Sequence, residues 1–200
     1  MTRTFLALLF LVTFFRLPAW ADEEATNYPY VKSGLYGKVY AKSVPDEVLG
    51  TKGNTKVLRV GETEDTLVVT YPWFTQELYL LDTYSGISVV RRGPWPSGNQ
   101  AKDSDLALEF WLDGKKLQSF STLDIAKDPD NVSVTISHYT VIRDVLGYKW
   151  IDPSGWTFEV QTHDGRVLRF DVETGKTTTL DSLKQMDGRR VRHEFRGHNT

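Results

Sequence analysis

The sequence predicts an all-β fold: a single antiparallel β domain, arranged as a sandwich, an open barrel or a blade-like meander, with at most two short helices. Three observations carry this. Short runs rich in valine, leucine, tyrosine and threonine recur along the chain, separated by polar or glycine-containing turns. Two Asp-Gly pairs, Asp113-Gly114 and Asp164-Gly165, each sit between alternating apolar segments. Helical spacing of apolar residues is confined to two brief stretches.

The chain opens on a different pattern. Met1-Thr2-Arg3 is a short positive start, 5–15 is apolar apart from Thr13, and Ala19-Trp20-Ala21 offers small residues at both positions a signal peptidase reads. The apolar run is about half of the ~20 residues a spanning helix needs. Residues 1–21 therefore read as a signal peptide cleaved after Ala21, which makes the expected location periplasmic or secreted. Residues 22–180 form the β domain, and 181–200 a short helix followed by a basic tail.

Within the domain, 22–29 is a polar lead-in. Segments 34–42, 56–60 and 66–71 read as strands, the last two joined by the turn 61–65. Segments 77–82 and 87–92 flank a hairpin loop at 83–86. The run 93–99 holds Pro94, Pro96, Gly93 and Gly98 and cannot continue a ladder. Strands 106–112 and 115–120 follow around Asp113-Gly114. A two-residue turn there sets Phe110 opposite Leu117, Glu109 opposite Gln118 and Trp111 opposite Lys116. Thr122 caps one helical turn through Ile125 and Lys127. Segment 132–142 alternates with period two and reads as one strand, with His138 on its apolar face.

The last hairpin, 156–162 with 166–172, tests its own register. A two-residue turn would oppose Glu159 to Phe170. A three-residue loop, His163-Asp164-Gly165, instead pairs Val160 with Leu168, Phe158 with Phe170, Trp156 with Val172, and Glu159 with Arg169 on the other face. Asp181 caps a second short helix that Gly188 stops.

The stretch from Trp156 to Lys176 reads Asp164-Gly165-Arg166-Val167 and then Asp171-Val172-Glu173-Thr174-Gly175-Lys176. It resembles the outer hairpin of a β-propeller blade, and 106–120 partly echoes it. The resemblance implies blade-like strands. The length left after the leader would fit at most about four blades.

Composition narrows function. The net charge of −2 becomes −4 once Arg3 and Arg16 leave with the leader, and the tail is basic, so the β body is acidic and lacks a nucleic-acid footprint. There is no cysteine, which excludes disulfides, iron–sulfur clusters and lipoprotein attachment. Export without disulfides points to a bacterial source. Asn131-Val132-Ser133 matches a glycosylation acceptor that is ordinarily inert there.

No catalytic motif stands out. His138 lacks a Gly-x-Ser-x-Gly partner, and the Asp103–Asp105 and Asp128–Asn131 clusters read as strand-bounding turns rather than calcium loops. No cofactor, metal site or catalytic residue is assigned. The candidate contacts are Trp95, held between two prolines, Trp73 and Phe74 at a second tip, and Arg91 and Arg92 beside the first. The expected function is a non-catalytic module binding a protein or cell-envelope partner. The alternative is a saccharide binder or hydrolase using exposed tryptophan and an Asp/Glu pair.

Overall fold

A computed structural model describes residues 26–179; the leader, the second helix and the basic tail lie outside them. Among the described residues the fold is all-β, with antiparallel sheets and one short helix. The chain builds three consecutive four-stranded meanders, which makes it the blade-like arrangement among the three alternatives.

The first sheet is β1 (Tyr30–Ser33), β2 (Val39–Pro45), β3 (Gly53–Arg59) and β4 (Thr66–Tyr71). The expected strand over 34–42 begins only at Val39; 34–38 is the turn joining β1, which lies before the expected segment, to β2. Tyr36 and Gly37 both take left-handed φ, 70° and 69°, and fold the chain back between them. The second sheet is β5 (Leu78–Thr83), β6 (Gly86–Arg92), β7 (Leu106–Leu112) and β8 (Lys115–Ser121). Helix α1 (Thr122–Ala126) follows, capped by Ser121 and Asp124 in a reciprocal box. A ribbon of β9 (Ser133–Val134) and β10 (Tyr139–Thr140) leads to the third sheet: β11 (Ile142–Ile151), β12 (Gly155–Thr162), β13 (Val167–Asp171) and β14 (Thr177–Thr179).

The second sheet is the middle layer. In β6, Ile87 and Val89 face the first sheet, where Val39, Ala41, Val57, Tyr71 and Trp73 complete one core. Val90, in the same strand, faces the third sheet and joins Leu108, Phe110, Phe158, Val160, Leu168 and Phe170 in the other. Hence β6 and β7 each carry four consecutive buried residues, as a sheet covered on both faces requires. Four phenylalanines meet in the second core, with Phe110–Phe170 and Phe120–Phe170 centroids each 4.9 Å apart.

Two registers were testable. The β12–β13 hairpin forms as its pattern dictates, with Val160 opposite Leu168, Glu159 opposite Arg169 and Phe158 opposite Phe170. The β7–β8 hairpin does not. Trp111 faces Lys116, but a bulge at Leu117 then sets Phe110 opposite Gln118 and Glu109 opposite Ser119. The reason is packing: an unbroken ladder would turn Phe120 onto the face of Glu109. The bulge returns Phe120 to the phenylalanine cluster, opposite Leu108, and lets Ser119 donate to Glu109 Oε1 at 2.9 Å.

The 132–142 segment is also corrected. It breaks after Val134, and Thr135 turns the chain by exchanging hydrogen bonds with His138. Val134 and Ile136, expected inward, are exposed; Ile136 is 74% exposed. No helix among the described residues is long and apolar enough to cross a membrane.

The turn before β13 ties the third sheet to α1. Arg166 Nη2 donates to the carbonyls of Ile125 and Ala126, at 3.0 and 2.8 Å, and so closes the helix end. Burial alone would raise the Asp164 carboxyl, but bonds from Thr162, Arg166 and Asn131 bring it down to about 2. A carboxyl lowered on folding stabilises fully above its unfolded value near ~4 and loses that contribution as pH falls toward 2. Asp164→Asn is therefore expected to flatten the acid limb of stability against pH, measured by urea unfolding between pH 2 and 5. Phe170→Ala is expected to cost about 3–5 kcal/mol in the same assay at neutral pH.

Candidate functional site

The site begins where β6 ends. Consecutive residues of a strand point to opposite faces, so Arg91 and Arg92 part company. Arg91 turns toward the first sheet. Its Nε donates to Glu109 Oε2 at 2.6 Å, and its guanidinium lies 4.5 Å from the ring of Trp73. Arg92 turns the other way, with Nη1 donating to Glu77 Oε2 at 2.7 Å. Glu77 Oε1 takes the hydroxyl of Tyr79.

Gly93 then carries the chain across β7. Its N–H donates to Ala107 at 3.0 Å, and a Cβ built on it would stand 1.7 Å from the Leu106 carbonyl oxygen. Only glycine allows so close a crossing. Beyond it, Pro94 and Pro96 hold φ near one value on either side of Trp95. The loop is fixed from outside as well. Pro96 C=O accepts from Tyr139 N–H at 3.1 Å, and Gly98 N–H donates to Ser137 C=O at 3.2 Å, while Ser97 bridges to His138. The prolines remove the loop from the main sheet, yet it pairs with the ribbon.

Trp95 therefore stands on a rigid support with its indole 48% exposed. It meets the His138 ring edge-on, 6.0 Å between centroids. His138 is only 8% exposed, and its Nδ1 lies 2.7 Å from Ser137 Oγ, the hydroxyl of its own neighbour. Tyr139 anchors the ribbon: its hydroxyl donates to Asp105 Oδ2 at 2.6 Å and sits 2.8 Å from Thr122 Oγ1. Burial and the Asp105 carboxylate push the Tyr139 phenol up to about 12, so it stays protonated.

Two concavities adjoin at this point. One, about 300 Å³, lies between the 93–96 loop and the ribbon, with Leu106, Val141 and Ile142 at its apolar wall and His138 and Tyr139 opposite. The other, about 290 Å³, is lined by Tyr28, Tyr30 and Phe74. They share Glu77, Arg92, Gly93 and Trp95. Each lies near the lower end of small-ligand sites.

Of the residues singled out from sequence, Trp95 and Arg92 are brought together here. Phe74 joins them as buried floor of the second concavity, against Tyr30 at 6.2 Å. Trp73 and Arg91 are elsewhere. Trp73 is 6% exposed and stacks on Tyr71 at 4.7 Å, so the expected 71–76 tip folds its indole into the core. Sequence reasoning missed Glu77, Tyr28 and Tyr139 as neighbours of Trp95. The parity of Arg91 and Arg92 was a usable signal for Glu77; no local pattern pointed to Tyr28. The Asp128 cluster is a turn, with Asp130 N–H donating to Asp128 Oδ1 at 3.0 Å.

No protein-family model matches the chain, and no curated protein or solved structure shows significant similarity to it.

Gly93→Ala is expected to cost about 1–3 kcal/mol in urea unfolding, the usual range for a forced clash. It should also shift the near-ultraviolet dichroism of the Trp95 loop, because the chain must swing away from Leu106.

Proposed function

We propose that this chain is an exported, non-catalytic binding module that holds a protein or cell-envelope partner in the Trp95 cleft. The observation that carries the reading is the placement of Trp95. A half-exposed indole on a doubly braced loop forms the shared wall of two adjoining concavities. A large aromatic anchor that is already ordered loses little conformational entropy on binding, which is the property of interface hot spots. The signal-peptide pattern supports a periplasmic or secreted setting. Support for a non-catalytic role comes from His138, which is only 8% exposed, and from Glu77, whose carboxylate is tied to Arg92 and Tyr79.

The test is affinity capture from the cell envelope with the wild-type chain and Trp95→Ala. Retention of a specific partner is expected to fall at least tenfold in the variant, with circular dichroism unchanged. Equal retention by both proteins removes the Trp95 cleft as the binding surface.

A further inference from the structure

We infer that the end of the molecule opposite the Trp95 cleft is a membrane-contact surface, occupied by the headgroup layer of a zwitterionic lipid bilayer. The observation is a convergence. Each of the three sheets brings one exposed aromatic ring to this end: Tyr36 between β1 and β2, Tyr84 between β5 and β6, and Trp150 at the close of β11. Tyr36 is 69% exposed, Trp150 59% and Tyr84 wholly so. Trp156 gathers them. Its ring centroid lies 6.2 Å from that of Tyr36 and 5.6 Å from that of Trp150. Its carbonyl accepts from Val172 N–H at 3.3 Å, and the next residue, Glu173, accepts from Ser85 Oγ at 2.6 Å. Strands β5 and β6, six and seven residues long, set this end about 20 Å from the cleft.

Tyr36 stands against its own backbone preference. Gly37 N–H donates to Gly34 C=O at 3.1 Å and closes a β-turn whose third residue is Tyr36, at φ 70°. Glycine or asparagine ordinarily fills that position. A tyrosine held there with its ring in solvent gains little from the core, so the ring is what the turn presents. The turn also suits surroundings poorer in water. The N–H groups of Gly34, Leu35 and Gly37 donate to the carbonyls of Val39, Leu80 and Gly34.

Geometry, area and charge select the bilayer. Adjoining rings meet at 66° and 75°, so they do not form the flat platform on which a sugar chain stacks. The three exposed rings offer about 500 Å² together, short of the ~800 Å² per partner that a stable protein interface or dimer needs. Tyrosine and tryptophan, with an apolar ring and a polar tip, are the side chains that settle at headgroup depth. The exposed charges beside them are mixed: Lys38 next to Tyr36, Asp152 near Trp150, and Glu173 against the Tyr84 turn. Both signs complement a headgroup layer that itself carries both, and they give an anionic surface no net hold.

The test uses the chain recovered after export, floated with phosphatidylcholine–phosphatidylethanolamine vesicles. Wild-type protein is expected to float with them equally at about 0.1 and about 0.5 M salt, because apolar insertion is not screened. A Tyr36→Ser/Tyr84→Ser/Trp150→Ser variant should float at least tenfold less, with circular dichroism unchanged. Tyr36→Gly separates binding from folding: glycine suits φ 70°, so urea stability should hold or rise while vesicle binding falls about threefold. Failure to float overturns the inference. So does flotation only on phosphatidylglycerol with release by salt, or flotation of the triple variant as well as wild type. Trp150-dependent dimers without vesicle binding overturn it in favour of a second copy. None of these failures touches the Trp95 cleft, which is read by partner capture at the other end.

Discussion

The structure depends on one constraint: the middle sheet is apolar on both faces and must be covered twice. Strands β6 and β7 feed alternate side chains to two separate cores. Any polar group in them is then removed from water and has to find a partner inside. Glu109 shows the consequence. It is almost fully buried, and its carboxylate gathers Arg91, Ser119, the Trp111 indole N–H and Lys116 around it. Removing one member leaves an uncompensated buried charge, whereas the complete set is tolerated. Tyr148 solves a similar problem from the third sheet, donating its hydroxyl to the Tyr79 carbonyl at 3.1 Å across the interface.

The cleft follows from the same arrangement. The two cores diverge at the end of β6, and the parity of the strand sends Arg91 into one side and Arg92 out toward the other. Gly93 is where the chain leaves the sheet, under the Leu106 carbonyl. What comes after has no sheet to join, so the β9–β10 ribbon supplies the missing backbone partners. Trp95 is exposed because both of its flanking prolines and both of its neighbouring pairings hold the backbone in place. The Tyr139–Asp105–Thr122 contact ties that ribbon to the start of α1, so the support of the site reaches back into the second core.

Much of this was legible in the residues, for a physical reason in each case. The β12–β13 register was readable because a one-residue slip would set Glu159 against Phe170 and part it from Arg169; the sequence did not show that Glu159 is itself buried, 1% exposed, and held by Arg169 and Lys149. The β7–β8 register was not, because the bulge at Leu117 answers to Phe120 meeting Phe170, fifty residues away. The 132–142 segment misled for a related cause: alternation there mimics a strand, while Thr135 and the 93–99 loop dictate a turn. In the site, Trp95 and Arg92 stood out as a braced indole and an adjacent base. Trp73 looked equivalent by local sequence, yet Tyr71, Trp111 and Arg91 draw it inward. Glu77 meets Arg92 at the open end of the β5–β6 hairpin, within one short window, whereas Tyr28 reaches the cleft from outside any local pattern.

The account stands most directly on the double coverage of the middle sheet, and amide hydrogen exchange measures it strand by strand. The amides of β6 and β7 should exchange only through global unfolding, while those of the edge strand β1 exchange through local opening at least a hundredfold faster. Protection in β6 no greater than in β1 would contradict it, since a strand locked between two cores cannot open alone.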